Sequence, residues 1–452
     1  MFRDGFSLIT IGATDATGEL KQEGTVGFTY PVNIVQALDS SQGGVTINGS
    51  IDTHGNDYSV KSRKVKFSKV HIINYKGGPG PGPSSGPYTY ITTDEFIVDD
   101  ESSITSNGVV NFSTYTPGKE IHFATPGASG SGGGLVLDPK IFSGEGLLKN
   151  PIGPDGKPLR YQNIIIGDAT SGNIDPSGLT VAKGLTDAVT LKSGGSVGGT
   201  GAITGVDKLN IEAGSVNLTN ENNKIGSIGT AKTTNGFTLT TAGGVTLDGP
   251  IEAGGPVNIT NKTSGNVTIG AQGKISTTNN SPVYITAENG NLKNKSTDSN
   301  PISTPGSNFA ISTKDSVGND EGTLSLHIDF HRYGTPSGTT SVAGYTGSGF
   351  FYVVQPTVHI YSERPYGDSN DVFFKPNNTT YKFETLRVNN ESAADKATRD
   401  AHDAAALNAL ETRIRANASG TTAWNALDGN THANANVDGI LRAGLGEFGS
   451  EV

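Results

Sequence analysis

Residues 236–270 read GFTLTTAGGVTLDGPIEAGGPVNITNKTSGNVTIG, and the short apolar triplets in this stretch decide the fold. Phe237-Thr238-Leu239, Val245-Thr246-Leu247, Val257-Asn258-Ile259 and Val267-Thr268-Ile269 each place one polar residue between two apolar ones. Side chains alternate along an extended strand, so the outer pair of a triplet shares one side and the middle residue takes the other. Gly-Gly, Asp-Gly and Gly-Pro steps then break each strand after a few residues. Each strand thus brings two apolar groups to a narrow core and needs neighbours to cover them.

The units recur from about Leu179 to Ile311. One series is led by Val189, Leu209, Phe237, Val257, Val283 and Phe309. A second, interleaved with it, is led by Val216, Val245 and Val267, and a weaker third consists of Ile203, Ile225, Ile251, Ile275 and Ile302. All advance by roughly 20–28 residues, the interval of solenoid repeats. Three short strands per repeat predict the triangular coil of a parallel β-helix, stacked about 4.8 Å apart, each coil covering what its neighbour leaves open. A β-sandwich would need antiparallel hairpins and no three phased series. The predicted class is all-β: a solenoid with an aromatic-rich β cap and a short α-helical tail.

Four regions follow. Residues 1–150 carry similar triplets with interrupted phasing, broken by a loop from Lys76 to Pro87 (KGGPGPGPSSGP) and a flexible connection from Gly127 to Gly134. Residues 151–323 hold the regular repeats. Residues 324–390 are rich in aromatics. Residues 391–452 open with Ser392-Ala393-Ala394-Asp395, a capping-box pattern, and continue Ala-rich to Ala418 with i,i+4 pairs Asp395/Arg399 and Glu411/Arg415, predicting a helix.

Composition narrows the function classes. The 452 residues include 63 Gly and no Cys, are 33% hydrophobic and 17% charged, and carry a formal charge of −10. Without cysteine there is no disulfide framework and no thiolate metal site. No basic stripe marks a nucleic-acid partner. No apolar run reaches the roughly 20 residues that span a bilayer. The start, Met1-Phe2-Arg3-Asp4-Gly5-Phe6, lacks the apolar core of an export signal, and we expect the chain to be a segment of a longer precursor.

The sharpest candidate for chemistry is Leu326-His327-Ile328-Asp329-Phe330-His331. On a strand, His327, Asp329 and His331 would share one face, a ligand set for a divalent metal such as Zn²⁺. The same alternation is what a half-buried strand produces without any metal. Polysaccharide-cleaving enzymes on β-helices use paired carboxylates, for which Asp248 with Glu252 and Asp207 with Glu212 are the nearest candidates. They sit at turns, where Asp and Glu are common for other reasons. Phe350, Phe351, Tyr352, Tyr361, Phe373 and Phe374 either stack on a sugar or partner, or close the last coil of the solenoid. We expect no catalytic residues and no cofactor beyond that candidate metal.

Two stretches share a further pattern. Leu8-Ile9-Thr10-Ile11-Gly12-Ala13-Thr14-Asp15-Ala16-Thr17-Gly18 and Asn163-Ile164-Ile165-Ile166-Gly167-Asp168-Ala169-Thr170-Ser171-Gly172 both read as apolar strand, Gly, short polar turn, Gly. Leu135 to Phe142 precedes the second. With Gly243 to Ile251 and Gly265 to Gly270, they resemble the repeat region of filamentous-haemagglutinin-like exoproteins of two-partner secretion systems. The resemblance covers about 1–311, most clearly 135–290, and omits the family's N-terminal secretion domain. It implies a right-handed β-helical fibre, exported through an outer-membrane pore and displayed on the bacterial surface for adhesion, aggregation or biofilm formation. Its partners would be neighbouring copies, other surface proteins or glycans. The rival reading is a phage-tailspike-like or surface β-helix that binds or cleaves polysaccharide.

Overall fold

The computed structural model describes residues 6–354, apart from 16–17, 37–43, 76–85, 125–132, 154–155, 317 and 345, together with two short strands, Ile360–Tyr361 and Lys382–Phe383. The Lys76–Pro87 loop, most of the Gly127–Gly134 connection, Phe373, Phe374 and the Ser392–Ala418 helix therefore lie largely or wholly outside the described residues.

Within them the chain is a parallel β-helix. Sequence dictates the coil through alternation. Val257, Ile259 and Asn261 are buried while Asn258 and Thr260 are only partly so. Every strand in turn lies against the equivalent strand of the next coil. One column runs Ile174, Val197, Val216, Phe237, Val257, Val283, Phe309 in direct parallel register, every member buried. Fully burying a side chain of this kind contributes roughly 1.5–3 kcal/mol, and each residue has its like above and below.

Three long sheets result. The first follows the whole stack, twelve strands in line from Ile9–Ala13 to Leu292–Asn294, about 53 Å at ~4.8 Å per step. The second, of seven strands, lines the N-terminal coils from Leu20–Glu23 to Leu148–Lys149. The third, of eleven, runs from Leu135–Leu137 and Ile121–Phe123 to Gly349–Tyr352 and Phe330–Tyr333. Val109–Ser113 pairs with Asn163–Asp168, so the coils before and after residue 150 form one continuous stack.

The register corrects the series read from sequence. Leu209 stacks on Ile228, in the first sheet, whereas Phe237 stacks on Val216, in the third. Val189 and Leu209 thus belong to a different sheet from Phe237, Val257, Val283 and Phe309; Val216 likewise parts from Val245 and Val267. In the weaker series Ile251, Ile275 and Ile302 align, but Ile225 faces Val206 and the column runs back through Ala231 to Ile211. The cause is the strand Ile225–Thr233. A register shift between Leu209 and Ile211 puts its apolar stacking positions at Ile228 and Ala231, three apart, so it shows no triplet.

That shift begins a trend. The paired columns of the first sheet lie two residues apart at Leu209 and Ile211 and three at Ile228 and Ala231. They are four apart at Leu247 and Ile251, six at Ile269 and Ile275, and eight at Asn294 and Ile302. One flat side opens coil by coil into two sides and a corner.

Polar groups inside the turns are matched between coils. Asn223, 1% exposed, accepts from the Ile203 N–H at 2.8 Å and donates to the Thr240 carbonyl at 3.0 Å, tying its own coil to the ones on either side. The twin motifs of the sequence are equivalent corners. Gly12 and Gly167 have φ of +91° and +85°, and a Cβ on either would come within 2.1 Å of a carbonyl oxygen of the next coil.

Candidate functional site

The metal candidates and the run Phe350 to Tyr352 lie at the C-terminal end of the described stack. The last regular coil supplies Leu292–Asn294, Ile302–Ser303 and Phe309–Thr313. Beyond it, Gly322–His327 forms a 3-10 turn that buries Leu324 and contacts Leu292–Asn294. The chain then runs outward as Phe330–Tyr333 and doubles back, so that the later strand Gly349–Tyr352 inserts between it and Phe309–Thr313. Leu135–Leu137 doubles back in the same way beneath Ile121–Phe123.

Stacked rings lie over this end of the described residues. Phe350 follows Ile311 in the interior column and His331 follows Phe350, with ring centroids 5.8 Å apart. In the adjacent column Tyr352 follows Thr313 and Tyr333 lies 4.8 Å from Tyr352. On the outer side Phe330 meets Phe351 edge-on at 5.6 Å. Its ring covers Gly349, where any Cβ would collide with it at 2.4 Å. Phe350, Phe351 and Tyr352 are at most 1% exposed, Phe350 and Tyr352 in the core and Phe351 against Phe330 on the outer side, so none of the three offers a free ring to a ligand. Tyr361 sits on the short antiparallel pair Ile360–Tyr361 with Lys382–Phe383.

The strand expected over 326–331 forms only from Phe330. The preceding residues turn to cover the first sheet, and Leu326, expected on the buried face, is 79% exposed. The three candidate ligands go separate ways. His327 Nε2 meets the Ser299 carbonyl at 2.8 Å, Asp329 accepts from the Ser348 N–H at 2.6 Å, and His331 Nε2 pairs with Glu321 at 2.9 Å. Among the described residues no group of three His, Asp or Glu is arranged to hold a metal ion. Sequence reasoning missed Glu321, which also accepts from the Tyr352 hydroxyl at 3.1 Å and so links the turn to both closing strands. Burial first, then the nearby Glu321 and Tyr333, push the Tyr352 phenol well above its ordinary value, so it stays a neutral donor.

A groove of about 460 Å³ opens beside this end, lined by Ile302, Ser303, Pro305, Leu326, His327 and Asp329. A second, of about 420 Å³, lies along glycine-rich turns at Gly205–Asp207, Lys224–Gly226 and Ala242–Gly244. The carboxylates considered for catalysis largely face cations. Glu212 meets Lys192 at 2.8 Å, Asp207 lies 3.8 Å from Arg160, and Asp248 lies 3.9 Å from Lys208. Glu252 stands between Lys232 and Ser276 in the strand register. Pairing between neighbouring coils recurs at Lys64–Glu95, Lys262–Glu288 and Lys274–Asp298. No helix among the described residues is long and apolar enough to cross a membrane. No protein-family profile, curated protein or solved structure matches the chain.

Proposed function

We propose that this chain is the stiff segment of an extracellular adhesive fibre, a filamentous-haemagglutinin-like exoprotein carried to the bacterial surface through an outer-membrane pore. Its coils would supply length and its exposed faces would make contacts with neighbouring copies, other surface proteins or glycans. The observation that carries the reading is the investment of the described chain in one continuous stack. Interior columns repeat the same apolar types, outer charges are largely matched coil to coil, and stacked rings lie over the last described coil. An enzyme of similar build would gather unmatched carboxylates over one groove, whereas here the carboxylates considered for that role largely lie beside cations.

The test is adhesion by the purified chain. Beads coated with it should aggregate or be retained on bacterial or host-cell layers well above beads coated with an unrelated acidic protein. Retention no better than that control would overturn the reading. Release of reducing ends or unsaturated products from a polysaccharide panel would replace it with the depolymerase alternative.

A further inference from the structure

We propose that the C-terminal segment of the chain folds back on the end of its own stack, laying Leu407, Leu410 and Ile414 over the turn Gly322–His327. The starting point is where apolar side chains are left in water. Among the described residues no large hydrophobic side chain is exposed between Ile152 and Leu326, the stretch that holds the most regular coils. At the last coil the pattern breaks. Leu326 is the most exposed large hydrophobic among the described residues, and Val353 and Val354 are exposed as well. These three bracket one feature. The Val353 and Val354 N–H groups donate to the Thr313 and Lys314 carbonyls at 3.1 and 2.8 Å, and the Lys314 N–H donates to the Gly290 carbonyl. That places the two valines just before the column of Leu292–Asn294. Gly322 stands over Asn294 and His327 over the Ser299 carbonyl, so the turn runs on along this side and Leu326 marks its far end. Leu324 is buried beneath. The upper surface of the turn is a short strip with apolar groups at both ends and no strand above it among the described residues.

The chain itself supplies a cover of the right size. Residues 355–452 follow from Val354, at this end of the stack. In the helix that the sequence predicts from Ser392 to Ala418, Leu407, Leu410 and Ile414 stand at i, i+3 and i+7, on one face. They span about 10 Å at ~1.5 Å per residue, and a 3-10 turn of six residues is about 10–12 Å long. Thr412 falls on the opposite face of that helix. The intervening residues 355–391 act as a tether, which holds the stripe at an effective concentration of about millimolar, above what a second copy reaches in dilute solution. Burial of the stripe against Leu326 and Val354 removes both apolar surfaces from water together. The groove beyond Leu326 leads to Ile302–Ser303, which among the described residues has a strand neighbour on one side only. A helix seated on the turn screens that edge, so it acts as an end-stop against strand addition from another chain.

The end-stop holds whatever the chain adheres to. Because the sequence has no cysteine, two introduced thiols are the only pair that can join. In the whole chain, Leu326→Cys would be combined in turn with Leu407→Cys, Leu410→Cys, Ile414→Cys and, as the control, Thr412→Cys. On mild oxidation at least one stripe position should close a disulfide within one chain, seen as a gel-mobility shift, well ahead of Thr412→Cys. Crosslinks that form only between chains would seat a second copy on the turn and overturn the proposal, and so would no crosslink above the control. Hydrogen exchange gives a second reading without cysteines. Leu407→Asp with Leu410→Asp in the whole chain should speed exchange at Gly322–His327 about tenfold or more, with residues 237–285 unchanged as the internal reference. Exchange at the turn that ignores both substitutions would mean the tail does not cover it. Failure of coated beads to be retained would sink the fibre reading and leave this one standing.

Discussion

Replacing Ile259 by aspartate puts a carboxyl into the most regular part of the stack, between Leu239 and Ile285, where the isoleucine is wholly buried. Removing the isoleucine forfeits about 2 kcal/mol of burial. The new carboxyl ionises in the unfolded chain near pKa ~3.9 but must take up a proton to sit in the dry column. At pH 7 that is about three units at ~1.36 kcal/mol each, or about 4 kcal/mol. The total is about 6 kcal/mol at pH 7. Because the folded-state pKa is raised, the proton part disappears once the pH falls to the unfolded value, leaving about 2 kcal/mol near pH 4. Thr260→Asp, one residue on, falls at a partly exposed position between Thr240 and Thr286 and should cost about half a kcal/mol or less. Urea titrations of both variants at pH 7 and pH 4 measure all four numbers. Hydrogen exchange should rise first across residues 237–285, since each coil rests on its neighbours. Equal losses at the two positions, or no recovery of Ile259→Asp in acid, would refute the inside-outside assignment.

Two other substitutions probe polar groups. The Tyr58 hydroxyl is buried with no hydrogen-bond partner among the described residues, and burial pushes its phenol up so that it stays neutral; Tyr58→Phe should therefore raise stability by about 1 kcal/mol, and a loss of that size in thermal melting would mean the hydroxyl is satisfied. For Asp99, burial works to raise the pKa, but hydrogen bonds from the Ser102 hydroxyl and from the Lys69 and Ser102 N–H groups outweigh it and hold the carboxyl below its usual range. That stabilisation is present above the unfolded pKa and lost as pH falls through the folded one, so Asp99→Asn should cost about 1 kcal/mol at pH 7 and a shrinking amount in acid, read from paired urea curves.

What the sequence made legible was the direction of each side chain. Val257 and Ile259 point inward because a strand allows nothing else once one of them is buried. What it hid was which side of the triangle a strand occupies. Val-x-Leu is the same chemistry on every side, and the one strand that would have kept count, Ile225–Thr233, lost its alternation to a register shift. At the C-terminal end the alternation of Leu326 to His331 was real in the letters and absent in the fold. Covering an open sheet outweighed local strand preference, and the chain turned before Phe330. The ring stack was partly legible, since Phe350, Phe351 and Tyr352 stand out as a run. Glu321 was not, because its role comes from Tyr352 and His331 approaching it across the turn.

The widening corner of the first sheet has a consequence for how such a chain can change. A residue added inside Val257–Ser264 would turn its later side chains inside out and spoil the fit with the coils above and below. A residue added between Ile269 and Ile275 leaves both flanking strands bonded where they are, as the steps from three to four to six to eight already illustrate. That edge of the molecule is a place where length is free to drift, so new peptide could be grafted there, coil after coil, at one azimuth along the shaft, without the core registering the addition.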